Sequence, residues 1–387
     1  MQIQKSLLKL ISYVEKETFS GYDPYDTLNS PVLRNIPGSL IPAVFIQIQK
    51  RNPVNIRSFL GIKKGINPKA MGLFLKSYCL LYREYKDLQY LEKAAFIFEW
   101  LKNNYSKGYA GYAWGYNFAW ASPGSYLKSY TPSVVVTSFV VDGIFEYFKI
   151  TNNNEAKQLI LSAADYIKKD IPITHFDEGI SFSYTHLSKG ACYNASLLAA
   201  EILAKANWVE KTDSHNKLIE KAISFVLSKQ KQDGSWLYSI NPETSKERKQ
   251  IDFHQGFILV SLDNLTNLTG ILTDEVNSSL ERGLHFYHKK QFFPDGRCLW
   301  RRPKQWPLEI HNQAQGVITF SKLSKIDDSY SDFASVIARW TIKYMQDKEG
   351  FFYYRKHRFF TNKIPFMRWS QAWMMLALTQ LLDEYEN

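Results

Sequence analysis

The chain has 387 residues, is 45% hydrophobic and carries a formal net charge of +11 with only three cysteines. That length allows two average domains or one large repeat-built domain with a sizeable core, while no segment reaches the ~18 uninterrupted apolar residues of a membrane span. Cys79, Cys192 and Cys298 are odd in number and far apart, which argues against a disulfide framework or a metal knuckle and fits reduced cytoplasmic thiols.

From the N-terminus, Met1 to Ser12 reads as an amphipathic helix interrupted by Lys5 and Lys9, without the apolar core or cleavage site of a secretion signal. Residues 19–66 are irregular, with Pro24, Pro31, Pro37, Pro42 and Pro53, and read as a cap or lid. Beyond them, apolar residues recur at three and four spacing through 69–87, 90–104, 132–149, 154–169, 190–206, 214–230, 253–268, 274–290, 311–324, 330–346 and 367–384. Weak alternation at 182–184 and 351–354 predicts short hairpins at most.

Connections alternate between brief polar turns, such as 151–154 and 325–328, and long loops rich in Gly, Pro and aromatics. The long loops carry a repeated element: Gln230-Lys-Gln-Asp233-Gly234-Ser-Trp236, Gln291 to Gly296 with Trp300, and Gln346 to Gly350 with Phe351. Looser copies surround Gly111 and Gly179, and the last four glycines recur at intervals of roughly 54 to 62 residues, enough for one helical hairpin and a loop. The helix after each long loop is apolar nearly all round, whereas the one before it has a charged face, the pattern of an inner and an outer helix. The expected fold is therefore all-α, a single α/α toroid over 1–387 with six hairpins, about twelve helices and the long loops at one mouth.

Such an arrangement brings the starts of the inner helices to one opening. They read Tyr193-Asn194, Asp252-Phe-His254-Gln255, Glu309-Ile-His311 with Gln315, and Arg368-Trp369 with Gln371 and Trp373. Two share the pattern acid, apolar residue, His, at what the repeat spacing makes equivalent points. Asp252 as a helix cap and histidines as structural hydrogen bonders are the plain alternatives. Chemically, glycoside hydrolysis needs two carboxyls facing the scissile bond, for which Asp23, Asp26, Asp252 and Glu309 are candidates. Lyase or epimerase chemistry needs a base and a group to quench a carboxylate, roles open to His254, His311 and Arg368. Trp114, Tyr116 and Trp120 offer aromatic faces for sugar rings, whereas Trp236, beside its Asp-Gly turn, reads as a loop filler. No metal is expected, since HExxH and CxxC spacings are absent, no cofactor motif occurs, and no nucleic-acid module accompanies the positive charge.

The segment Gln230 to Trp236 resembles the repeat of terpenoid cyclases and prenyltransferase β-subunits, which are α/α toroids; their Asp-x-Asp-Asp acid motif has no counterpart here. Over almost the whole chain the sequence resembles an uncharacterised prokaryotic toroid family associated with surface-polysaccharide synthesis. The matching segments are Gly21-Tyr-Asp23-Pro-Tyr-Asp26-Thr-Leu-Asn29-Ser30, Gly111 to Trp120 with Tyr116 and Asn117, Cys192-Tyr193-Asn194, Ile251 to Phe257, Glu309-Ile-His311 with Gln315, and Pro365 to Trp373. That family carries Trp-Ile-Asp-Asn-Phe-His where this chain has Gln250-Ile-Asp252-Phe-His254, which leaves the placing of Asp252 open. The broader likeness is to six-hairpin glycosidases and toroidal polysaccharide lyases. The resemblance implies a glycan-processing enzyme, a polysaccharide or oligosaccharide partner of acidic character, and peripheral association with membrane-bound synthesis machinery. Glu309, Asp252, His254, His311 and Asp26 are the catalytic candidates, hydrolysis the favoured reaction, and a glycan-binding protein the non-catalytic alternative.

Overall fold

The computed structural model describes residues 2–383, and 13 α-helices are found among them. They are α1 (Gln2–Lys16), α2 (Leu40–Arg51), α3 (Pro68–Tyr85), α4 (Leu88–Asn103), α5 (Val134–Thr151), α6 (Asn154–Asp170), α7 (Tyr193–Glu210), α8 (Asn216–Ser228), α9 (His254–Thr269), α10 (Thr273–Phe286), α11 (Ile310–Lys322), α12 (Ser329–Met345) and α13 (Trp373–Asp383). Six of them, α3, α5, α7, α9, α11 and α13, pack in succession as an inner ring, and α13 closes on α3. Outside lie α4, α6, α8, α10 and α12, with α1 against α12 and α13 as the sixth outer helix. The fold is an α/α toroid.

Local sequence explains the elements. Asn67, Asp87, Ser133 and Asn153 cap α3, α4, α5 and α6 by accepting backbone N–H bonds of the first turn. Helix α7 is buried on almost every side, as an inner helix must be, whereas α8 buries only Ile219, Ala222, Ile223, Phe225 and Val226 along one stripe. Residues 287–291 and 367–372 are π-helical rather than α-helical, so α13 proper begins at Trp373; residue 384, the end of the last expected helix, lies outside the described residues.

The repeated Gly makes the ring possible. A Cβ on Gly111 would lie 1.8 Å from the Ser162 carbonyl oxygen of α6, and on Gly179, 2.1 Å from that of Lys221 in α8. For Gly234 the distance is 2.2 Å to the Arg282 oxygen in α10, and for Gly350 2.3 Å to the Lys9 oxygen in α1. Gly296 lies 2.9 Å from the Ile337 Cα in α12 by the same measure. Each loop thus docks backbone to backbone on the next outer helix, and the last docks on the first.

Glutamines lock this docking from both sides. At the outer end Gln230 donates to the Gly234 and Ser279 carbonyls, and Gln346 to those of Gly350 and Ser6. At the inner end the Gln255 amide accepts from Trp236 N–H (2.8 Å) and donates to its carbonyl (2.6 Å). Gln371 holds Phe352 in the same two-way manner, and Gln313 accepts from Cys298 N–H while donating to the Gly296 carbonyl. At the corresponding places Thr137 and Ser196 accept the backbone N–H groups of Trp114 and Phe182. Trp236 fills the loop, wholly buried, its indole N–H on the Val226 carbonyl.

At the mouth the loops form small antiparallel pieces: β1 (Trp120–Ser122) with β2 (Ser125–Leu127), β3 (Ile173–Phe176) with β4 (Gly179–Phe182), β5 (Ala191–Cys192) with β6 (Ser239–Ile240) and β7 (Glu247–Arg248), and β8 (Leu308–Glu309) with β9 (Arg355–Lys356) and β10 (Thr361–Asn362). Segment 19–66 lies over the same mouth but is not wholly irregular, since it contains α2 and 3₁₀ turns at Asp26–Asn29 and Leu33–Asn35. Pro42 is tolerated because it falls in the first turn of α2.

Gly234→Ala combines a φ of +87° with the 2.2 Å carbonyl contact, so we expect a loss of at least ~2 kcal/mol in urea denaturation. Gly270→Ala, at φ +67° with open space around it, should cost about 1 kcal/mol.

Candidate functional site

The clamp glutamines set the register of the inner-helix starts. Phe253, His311 and Trp369 each stand two residues before a clamp (Gln255, Gln313, Gln371), and His254 stands one before. The two acid-x-His patterns are therefore offset by one residue rather than equivalent. Their partners differ accordingly.

Asp252 is buried at 1% exposure and accepts His254 Nδ1–H (2.5 Å), the His254 backbone N–H (3.2 Å) and the Gln250 amide (2.7 Å), with Arg301 Nε at 3.5 Å. Burial alone would raise its carboxyl, but His254 and then Arg301 outweigh burial and hold it below the usual range. With Nδ1–H given to the carboxylate, a neutral His254 carries its free lone pair on Nε2, on a half-buried ring that meets Tyr238 edge-on at 4.7 Å.

Glu309 has no bond to His311. It caps nothing and sits in β8 directly across from Arg355 of β9, whose Nε donates at 2.6 Å, while Trp369 Nε1–H donates to its other oxygen at 3.0 Å. His311 is 2% exposed and neither ring nitrogen has a hydrogen-bond partner. Its ring lies 4.3 Å from Phe253, 4.6 Å from Trp369 and 4.7 Å from Trp373. Burial, then the nearby Lys69 and Arg368 charges, push its pKa well below the ordinary value, so the imidazole is neutral at pH 7.

Two further ion pairs hold the lid, one tying it to the ring and the other lying within it. Asp23 takes both Nε and Nη2 of Arg368, at 2.6 and 2.8 Å, and Asp26 takes Arg57 Nε at 2.7 Å. Asp26 also accepts the Asp23 backbone N–H at 2.9 Å, yet burial lifts its carboxyl to about 6 against the pull of Arg57. Arg368 lies 4.8 Å from the Tyr116 ring, which stacks on Phe118.

Two lysines, which no sequence motif marks, complete the cluster. Lys69, in the first turn of α3 and 4% exposed, holds Nζ 4.2 Å from the Phe139 ring and 5.1 Å from that of Trp373. Burial, and then Arg368, lower its pKa strongly. Lys50 of α2 contacts the Tyr25 hydroxyl and sits 5.4 Å from the Trp369 ring. A lysine in a first helical turn opposes the helix dipole, and that was the legible signal for Lys69. Arg57, Arg301 and Arg355 lie far from their carboxylates in sequence and left none.

Asp23, Asp26, Tyr116, Asp252, His254, Glu309, His311, Arg368 and Trp369 are thus joined by a chain of contacts around one opening. Others serve elsewhere. Trp114 is wholly buried with its indole N–H on the Leu101 carbonyl, Tyr193 bonds Glu247 and packs on Phe225, and Gln371 is a clamp. Asn29 and Asn67 hold Asn117, Trp120 packs on the lid cluster of Leu28, Ala43 and Ile46, Asn194 bonds Cys192 Sγ, and Gln315 bonds Thr319. Among the described residues no group of three or more His, Cys, Asp or Glu is placed to hold a metal ion.

No family model matches the chain, and no curated protein matches its sequence. In structure it is similar to cellobiose 2-epimerase from Bacillus thermoamylovorans, at 17% identity and a TM-score of 0.65 over 83% of this chain and 88% of that one. It is also similar to a sugar epimerase from a ruminal bacterium (14%, TM-score 0.67, 100% of both chains). A third similar structure is a GH76 α-mannanase of Bacteroides thetaiotaomicron (13%, TM-score 0.60, 82% and 86%). At these identities the likeness carries the α/α toroid.

Two measurements test the site's electrostatics. Glu309→Gln strands the buried Arg355 charge and should cost about 3 to 5 kcal/mol in chemical denaturation. His311, held neutral when folded, takes up its proton first in the unfolded chain. Wild-type stability should therefore fall below pH ~6.5 by up to about 1.4 kcal/mol per unit from this group, and His311→Phe should remove that part of the slope.

Proposed function

We propose that the protein is a sugar epimerase or isomerase that moves a proton on the carbon next to the carbonyl of an open-chain reducing sugar. The observation that carries the reading is a buried cluster holding two imidazoles, one aligned by a buried carboxylate and one neutral with both nitrogens unpaired, while three of the four candidate carboxylates are engaged by arginine and the fourth by His254. Such a site is rich in proton acceptors and poor in free carboxylic acids.

In this mechanism His254 Nε2 takes the carbon-bound proton, and its Asp252 partner stabilises the imidazolium that forms. The electron pair moves into the carbonyl to give an enediolate, whose oxygen the Lys69 Nζ–H can hydrogen-bond. His311, being neutral, orients a water that supplies the return proton, and the hydroxide left behind takes back the proton held by the His254 imidazolium. Delivery to the same carbon from the opposite face inverts it, and delivery to the former carbonyl carbon isomerises the sugar. No oxidant or metal is needed to balance the step. Trp369, Trp373 and Phe253 wall the pocket with apolar surface suited to a sugar face. Two of the similar structures are named for epimerase activity, which supports the same class. The acidic, surface-polysaccharide character of the substrate rests on the sequence resemblance.

Hydrolysis is the second reading, favoured by Asp26, whose carboxyl at about 6 can hold a proton near neutral pH, and by the α-mannanase likeness. The deciding experiment incubates the protein with reducing mono- and disaccharides in deuterium oxide enriched in heavy oxygen. Deuterium at the carbon beside the carbonyl is expected, with His254→Asn and His311→Asn each slowing incorporation by about 10²- to 10⁴-fold. Heavy oxygen at a newly freed anomeric centre, without deuterium on carbon, would replace this reading with a glycosidase.

A further inference from the structure

The lid helix α2 buries Pro42, Ala43, Ile46 and Gln49 against the toroid and turns an apolar stripe outward. Leu40, Ile41, Val44 and Ile48 are 63%, 56%, 56% and 60% exposed, at the three and four spacing of one helical face. Two strongly exposed phenylalanines lie outside the helix. Phe59, in the same lid, is 89% exposed, and so is Phe359 at the tip of the β9–β10 hairpin, which is tied to the end of α2 by the Asn362 amide on the Asn52 carbonyl (3.1 Å).

The charges of these two segments are almost all positive. From Thr27 to Arg83 the sequence contains no Asp or Glu, and none occurs from Arg355 to Lys363. Arg34, Arg51, Lys63, Arg358 and Lys363 are exposed around the apolar residues. Protein interfaces pair charges of both signs at their rims, whereas an apolar helical face flanked mainly by exposed cations matches the boundary between acyl chains and anionic headgroups. Bulky side chains at loop tips suit shallow insertion of the same kind. No helix among the described residues is long and apolar enough to cross a membrane, so the contact lies on the surface.

We propose that α2, Phe59 and the β9–β10 hairpin form a docking face for an anionic lipid bilayer. The inference is independent of the reaction assigned to the pocket. Because Lys50 on the opposite side of α2 reaches Tyr25 and Trp369, docking sets the mouth of the toroid beside the headgroups.

The test is co-sedimentation of the full chain with vesicles of phosphatidylcholine alone and of phosphatidylcholine mixed with phosphatidylglycerol. Binding to the mixed vesicles only, weakened by salt, is expected. Ile48→Glu with Phe359→Ser, both at exposed positions, should lower the partition coefficient at least ~tenfold while the thermal midpoint by circular dichroism stays unchanged. No binding to the anionic vesicles, or binding that the double variant leaves intact, would overturn the proposal. So would a concentration-dependent dimer that the double variant abolishes in a protein that ignores vesicles, since the face would then belong to a second copy.

Discussion

Everything in this protein depends on how closely each long loop can approach the backbone of the next outer helix. A side chain at Gly111, Gly179, Gly234 or Gly350 would drive its Cβ into a helix carbonyl, so only glycine lets the hairpins close round. The closure is also covalently economical, because α1 at one end of the chain receives the loop from the other. Buried glutamines then convert this approach into a fixed register, each satisfying loop backbone groups that would otherwise be stranded in the core. Positions just before each clamp are forced toward the axis. The chemistry at the mouth is therefore placed by the same contacts that hold the ring together.

Within the mouth, charges are arranged in tight pairs. Burying an arginine or a carboxylate alone would cost several kcal/mol, and pairing offsets that cost without leaving either group free to react. Asp23 with Arg368 and Asp26 with Arg57 pin the lid, and Glu309 with Arg355 joins two strands of the rim. What is left unneutralised is basic: two imidazoles and the amine of Lys69, whose buried charge is opposed by burial and by Arg368. Burial and the neighbouring cations make this site resist added protons, so the His311 lone pairs stay available, and that physical bias shapes the proposed reaction more than any single residue does.

Much of this was legible in the sequence. Hairpin number, the inner and outer alternation and the loop repeat all follow from periodicity and glycine spacing, because those features recur in every unit. The candidate residues at the mouth were found for the same reason: Asp252, His254, Glu309, His311 and Arg368 begin inner helices. What escaped was set by long-range contacts. Spacing alone made the two acid-x-His patterns look equivalent, whereas the clamps at Gln255 and Gln313 shift one against the other, so that Asp252 orients His254 and Glu309 belongs to Arg355. Trp114 resembled a ligand platform beside Tyr116, yet its indole closes a loop. Helix α2 was hidden among prolines, its one internal proline sitting in a first turn where a helix accepts it. Its outward apolar stripe became readable only once the inward one was known.

The central claim is that a neutral, unpartnered His311 shares this site with a His254 aligned by Asp252, and nitrogen-15 NMR of histidine-labelled protein at pH 7 tests it most directly. The account predicts a His254 whose Nδ1 carries the proton that Asp252 accepts, and a His311 that is a neutral ring at pH 7. An imidazolium signal from His311 at pH 7, or a His254 protonated on Nε2 alone, would contradict it.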